Sequence, residues 1–96
     1  MITSKQRAYL RGLANSEVAI LQIGKSGITE PLLATLSDAL EARELIKLHV
    51  LENSAASPKE TLNALCEKLG AEPVASVGRK IVLYRASSKE PVIVLP

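Results

Sequence analysis

The sequence predicts an α/β fold: a two-layer α+β domain in the order α-β-α-β-α-β-β, with a four-stranded mixed sheet. Three observations lead there. Two short apolar runs, "VAILQI" and "LIKLHV", are separated by a helix-length segment, the arrangement of a parallel pair with a right-handed crossover. Two later runs, "PVASV" and "KIVLYR", flank Gly78-Arg79, the pattern of a tight antiparallel hairpin. A helix start signal stands ahead of each of the first three runs.

The first helix opens at "TSKQ", where Thr3 caps it, Gln6 completes a capping box, and the pattern runs to about Ala14. Tyr9, Leu10 and Leu13 are its apolar side, and Gly12 within it implies close packing or an early end. Residues 18–23 are nearly continuously apolar and read as a strand covered on part of both faces. Thr29 caps a second helix with Pro31 in its first turn, and Leu33, Leu36 and Leu40 form its inward stripe. In residues 45–50, Leu45, Lys47 and His49 alternate with Ile46, Leu48 and Val50, which is a strand. "SPKE" starts the third helix with Ser57 as cap, Pro58 at the first position and Glu60 closing the box. Leu62, Leu65, Cys66 and Leu69 follow the helical template, and Gly70 ends it. The tail "PVIVLP" is apolar enough to form an edge strand, to dock on the core or to meet a partner.

Composition narrows the classes. The 96 residues suit one domain, and 47% hydrophobic content supplies an aliphatic core with two tyrosines, no Phe and no Trp. No apolar run approaches the ~20 residues of a membrane helix, and the first residues carry no secretory pattern, so a cytoplasmic location is expected. One cysteine rules out an internal disulfide. Net charge is only +2, but cations gather at the ends: Lys5, Arg7, Arg11 and Lys25 against Glu17, then Arg79, Lys80, Arg85 and Lys89 against Glu90. If folding joins them, they make the basic face of a polyanion binder; otherwise they are ordinary solvated surface.

Enzyme readings lack parts. His49 and Cys66 are single, with Cys66 in a helix core stripe, and neither paired carboxylates nor metal-ligand spacing occurs. No metal or cofactor is expected. "GKS" in "QIGKSGIT" invites a phosphate-loop reading, but that motif needs a glycine where Ala19 stands. What remains is G-x-x-G, a turn whose glycines admit a close ligand, with Lys25 at its tip and a helix N-terminus behind it. Loops of this pattern clamp nucleic-acid backbone in KH domains. Taken alone, the four residues fit a structural tight turn better than a ligand clamp.

"LRGLA" in the first helix, "IGKSGIT" in the loop, "ELIKLHVL" at the second strand and "VGRKIVLYR" at the hairpin occur in that order. Together they resemble the CRM domain, named for chloroplast RNA splicing and ribosome maturation, over about Thr3 to Arg85. The resemblance implies a fold similar to the C-terminal domain of translation initiation factor three, with a KH-like loop. It implies a stand-alone bacterial member, associated with precursors of the large ribosomal subunit; plant members serve group II intron splicing. Residues 1–90 would be a single RNA-binding domain and 91–96 an apolar tail. Gly24, Lys25, Ser26 and Gly27 match the family's loop, Lys5, Arg7 and Arg11 its basic first helix, Arg79 and Lys80 its hairpin, and Lys47 the lysine of "ELIK". Lys47 also fits a snorkelling strand residue.

The expectation is an RNA-binding protein, not an enzyme, that grips backbone rather than sequence, because only Tyr9 and Tyr84 could stack on bases and both read as core. The partner implied is large-subunit rRNA, with ribosomal proteins a further candidate, no membrane, and a monomeric state. The alternative is a protein–protein adaptor on ribosome precursors that uses the apolar tail. A third reading is a small nucleotide-binding enzyme.

Overall fold

The computed structural model describes residues 2–89 and 91–96. Met1 and Glu90, the limits of the expected domain, lie outside the described residues, and with Glu90 goes one of the C-terminal charges. The element order is as expected: α1 (Ser4–Ala14), β1 (Ala19–Ile23), α2 (Glu30–Arg43), β2 (Leu45–Val50), α3 (Pro58–Leu69), β3 (Glu72–Val77) and β4 (Lys80–Tyr84). Local chemistry sets each helix start. The Gln6 N–H donates to Thr3 Oγ1 at 3.1 Å and the Thr3 N–H to Gln6 Oε1 at 2.9 Å, a complete capping box. Ser57 and Glu60 repeat it on α3, at 3.1 and 3.0 Å. Gly70, left-handed at φ 66°, ends α3 and donates to the Cys66 carbonyl.

The sheet runs β1-β2-β4-β3. β1 is parallel to β2, with a register shift between Ala19 and Leu21, and β4 is antiparallel to both β2 and β3. Period-two alternation divides the strands between two cores. Ile46, Leu48, Val50, Ile81 and Leu83 face α2 and α3, packing with Leu36, Leu40, Leu62 and Leu65. Leu45, Val82 and Tyr84 face the other way, where α1 brings Leu10 and Ala14. Thus α1 adds a partial third layer to the expected two. It covers only part of its face of the sheet, a fact that positions the site below.

Two details of α1 differ from expectation. Tyr9 is 44% exposed, because Leu10 and Ala14 define the buried stripe and Tyr9 flanks it. Gly12 neither ends the helix nor permits close packing: a Cβ there would meet nothing within 4 Å.

The tail docks rather than pairing as a strand. Ile93 and Leu95 pack against the α1-side core. What holds them is Glu44, fully buried at the α2–β2 junction. Its carboxylate accepts the N–H groups of Ser87 at 2.7 Å, Val92 at 2.7 Å and Ile93 at 2.6 Å. Glu44 also has φ 66°, a left-handed conformation that costs a non-glycine residue roughly 1–2 kcal/mol. Arg85 stitches the same end, donating to the Leu69 carbonyl at 3.0 Å and the Ser37 carbonyl at 2.9 Å, with Glu41 at 3.7 Å.

Candidate nucleic-acid interface

The GKSG loop leaves β1 at the sheet end opposite the tail latch. It is a turn in which the Gly27 N–H donates to the Gly24 carbonyl at 3.0 Å, leaving the amides of Lys25 and Ser26 outside that bond. Each glycine has its own reason. Gly27 is left-handed at φ 64°, and a Cβ on Gly24 would stand 3.3 Å from both Asn53 Oδ1 and Leu51 Cδ1. Lys25 and Ser26 are exposed at the tip. They border a cavity of about 260 Å³ that also includes Ser54 and Glu60. The Ser57 amide and hydroxyl hold the Glu60 carboxyl below its ordinary value, so it places a negative charge there.

The helix behind the loop offers a phosphate less than the sequence suggested. In the first turn of α2, Pro31 has no N–H, and the Leu32 N–H donates to Thr29 Oγ1 at 3.3 Å. Glu30 adds a carboxylate to the same turn. A phosphate at this loop would therefore rely on Lys25 and the loop amides.

A second cationic site lies on the α1 face, where the helix stops short of covering the sheet. Arg11 of α1, Lys47 of β2 and Lys80 of β4 line one groove of about 240 Å³. Strand register builds it: Lys47 and Ala75 both pair with Val82, while His49 and Val77 both pair with Lys80. Ala14 and Val82 are buried at its floor, Ala75 and Val77 line it more openly, and among the described residues no carboxylate lines it. Among the described residues, Lys25, Lys47 and Lys80 enter no ion pair or side-chain hydrogen bond.

The remaining expected site residues are placed differently. The Arg79 guanidinium donates through Nε to the Val50 carbonyl at 2.7 Å and through Nη2 to the Leu51 carbonyl at 2.8 Å. It clasps the hairpin to the segment on which the GKSG loop packs. Arg7 Nε donates to the Pro73 carbonyl at 3.0 Å and so pins α1 to β3. Lys5 is exposed, but it sits roughly 200° around the helix from Arg7 and outside the groove. The groove also takes in Asn15, which no sequence signal singles out. The Cys66 thiol, pushed up to about 12 by burial and then by Glu72, is no nucleophile at neutral pH. Among the described residues, no cluster of His, Cys, Asp or Glu is placed to hold a metal, and no helix is long and apolar enough to cross a membrane.

The family model for the CRS1 / YhbY (CRM) domain matches residues 2–85. A Bacillus subtilis protein named "Probable RNA-binding protein YqeI" is 38% identical over the full length of both chains. A Haemophilus influenzae protein named "RNA-binding protein" is 35% identical, covering 92% of this chain and 89% of its own. The solution structure of a hypothetical protein from Staphylococcus aureus superposes with a TM-score of 0.83 at 46% identity, covering 100% of both chains.

Proposed function

The chain belongs to the CRS1 / YhbY (CRM) domain family, and from that premise we propose that it binds RNA through one end of its sheet. One observation carries the reading: Arg11, Lys47 and Lys80, distant in sequence, converge on a groove that no carboxylate of the described residues lines. Cations held together without partners raise the local concentration of a polyanion and release its counterions on contact. In this reading Lys25 and the Lys25 and Ser26 amides take a backbone phosphate at the loop, while the groove takes another. Arg7 and Arg79 hold α1 and the hairpin in place and offer their remaining donors, and Lys5 contributes only long-range charge. The activity is binding, with no bond made or broken.

For the partner we propose rRNA of the large ribosomal subunit, the RNA that the resemblance to stand-alone CRM proteins implies, met in the cytoplasm during subunit assembly. The test is a salt titration of binding to large-subunit rRNA fragments, wild type beside Lys25→Ala. Each phosphate that the variant no longer neutralises should reduce the log–log slope by roughly 0.7–0.9, with affinity for all fragments falling together. A flat wild-type slope, or a Lys25→Ala slope equal to wild type, would remove the loop from the interface. A second reading rests on Val92 and Val94, which stay 67% and 84% exposed on the docked tail and could meet a ribosomal protein. Val92→Ser with Val94→Ser tests it better than deletion, because deletion also strips Ile93 and Leu95 from the core.

A further inference from the structure

Resting on the RNA reading above, the geometry points to a more specific role for the Arg11–Lys47–Lys80 groove: we propose that it receives one unstacked base of a single-stranded segment. A site that only neutralised phosphate would need no apolar surface between its cations. Here three cations share the lining with four aliphatic side chains: Ala14 and Val82, buried and so the floor, and the more open Ala75 and Val77. Val77 is 73% exposed, an apolar surface left uncovered on a strand end. At about 240 Å³ the groove lies just under the ~300 Å³ at which drug-sized pockets begin, the size for one flat ring.

The chemistry fits a base with its flanking phosphate. The aliphatic floor takes a ring face, and Lys47 and Lys80, on adjacent strands of the sheet, take the phosphate oxygens. Stacking needs a planar partner, and this chain has no Phe or Trp. Arg11 supplies the plane: guanidinium is among the groups on which unstacked bases are held. It is exposed on α1, and unlike Arg7 it has no side-chain hydrogen bond among the described residues. The GKSG loop lacks this composition, since Glu60 lies in its cavity. The two places then divide the work, with backbone held at the loop and a base at the groove. A duplex cannot use the groove without unpairing.

The experiment separates plane from charge. Binding of an eight-nucleotide single-stranded RNA is compared with that of the same oligonucleotide carrying abasic residues, for wild type and Arg11→Lys. The wild type should prefer the base-bearing strand by roughly tenfold, the scale of a single base stacked in a protein site. Arg11→Lys, which keeps the charge at an exposed helix position, should lose most of that preference with its salt slope unchanged. Ala75→Leu, which narrows the groove without altering charge, should do the same. In wild-type protein, amide resonances of Lys47, Ala75, Val77 and Lys80 should move with the base-bearing strand and much less with the abasic one. Equal wild-type affinity for both strands overturns the proposal, as does a preference retained in Arg11→Lys. Those failures leave salt-dependent binding intact, whereas failure of the RNA reading itself removes binding to both strands.

Discussion

The two ends of the sheet treat charge in opposite ways. At the tail end, Arg85, Glu41 and Glu44 all have partners: backbone carbonyls for the arginine, backbone and serine donors for the glutamates. At the loop end, Lys25, Lys47 and Lys80 have none among the described residues. β4 spans the contrast, with Arg79 at one end and Arg85 at the other, both clasping main-chain carbonyls. Fixed geometry at the loop end thus comes from an arginine and a tight turn, while its lysines stay available. A planar guanidinium can satisfy several carbonyls at once, whereas an ammonium is a compact, well-hydrated charge. Arg7, Arg79 and Arg85 use their guanidinium donors on main-chain carbonyls, while Arg11 and the lysines of the loop end keep theirs free among the described residues.

The comparison breaks first at Glu44. Glu44→Ala should destabilise the protein by about 2–4 kcal/mol, measured by urea unfolding, because three main-chain donors lose a charged acceptor. The loss is bounded because the tail can undock and hydrate the Val92 and Ile93 amides. Glu44→Gly should be milder than Glu44→Ala by about 1 kcal/mol, since glycine adopts φ 66° without strain. RNA affinity of the folded fraction should not change for either variant. A Glu44→Ala protein as stable as wild type would show the latch to be idle.

Acid offers a gentler way to open the same end. Burial pushes the Glu44 carboxyl up, but the Ile93, Ser87 and Val92 amides outweigh it and hold it below its ordinary value. Glu41 is likewise held low, chiefly by the Ser88 hydroxyl and amide. A carboxylate whose folded pKa is depressed stabilises fully above its unfolded value, about 4.3, and loses that contribution as pH falls through the lower folded one. The tail should therefore stay docked from neutral pH to about 5 and loosen below about 4. Amide shifts of Val92 and Ile93 should move with the Glu44 carboxyl carbon on titration, while groove amides stay put. Movement of the groove amides alongside the tail would mean that the two ends are coupled.

The elements of the fold were legible because their signals are local. Both capping boxes are complete within four residues, and the hairpin turn sits where Gly78 permits a left-handed φ of 58°. The latch was not, because Glu44 reads as one more helix charge in "EARELIK" and its partners lie 43 to 49 residues away. The arginines were half legible: the sequence marks them as cations, but carbonyl acceptors leave no trace in it. Convergence of Arg11, Lys47 and Lys80 depended on α1 crossing the other sheet face. The apolar pattern of α1 is compatible with either face, so that placement could not be read from it. Tyr9 was misplaced for the related reason that its neighbour Leu10 already fills the stripe.

Gly12 gives the smallest effect and the finest test of where the interface ends. It sits in the last turn of α1 beside Arg11, exposed, without a positive φ, and with open space where a Cβ would stand. Nothing in the fold requires glycine there, so Gly12→Ala should stabilise the protein by about 0.5–1 kcal/mol. For a domain of this size that is a rise in Tm of roughly 2–8 °C, readable by thermal unfolding. If RNA contacts stop at the Arg11 rim, affinity and salt slope stay at their wild-type values in this firmer protein. A more stable variant that binds RNA less well would mean that a phosphate or sugar approaches the helix backbone at Gly12. The interface would then extend past the groove along α1, and the glycine's destabilising effect would have its explanation in the ligand rather than in the fold.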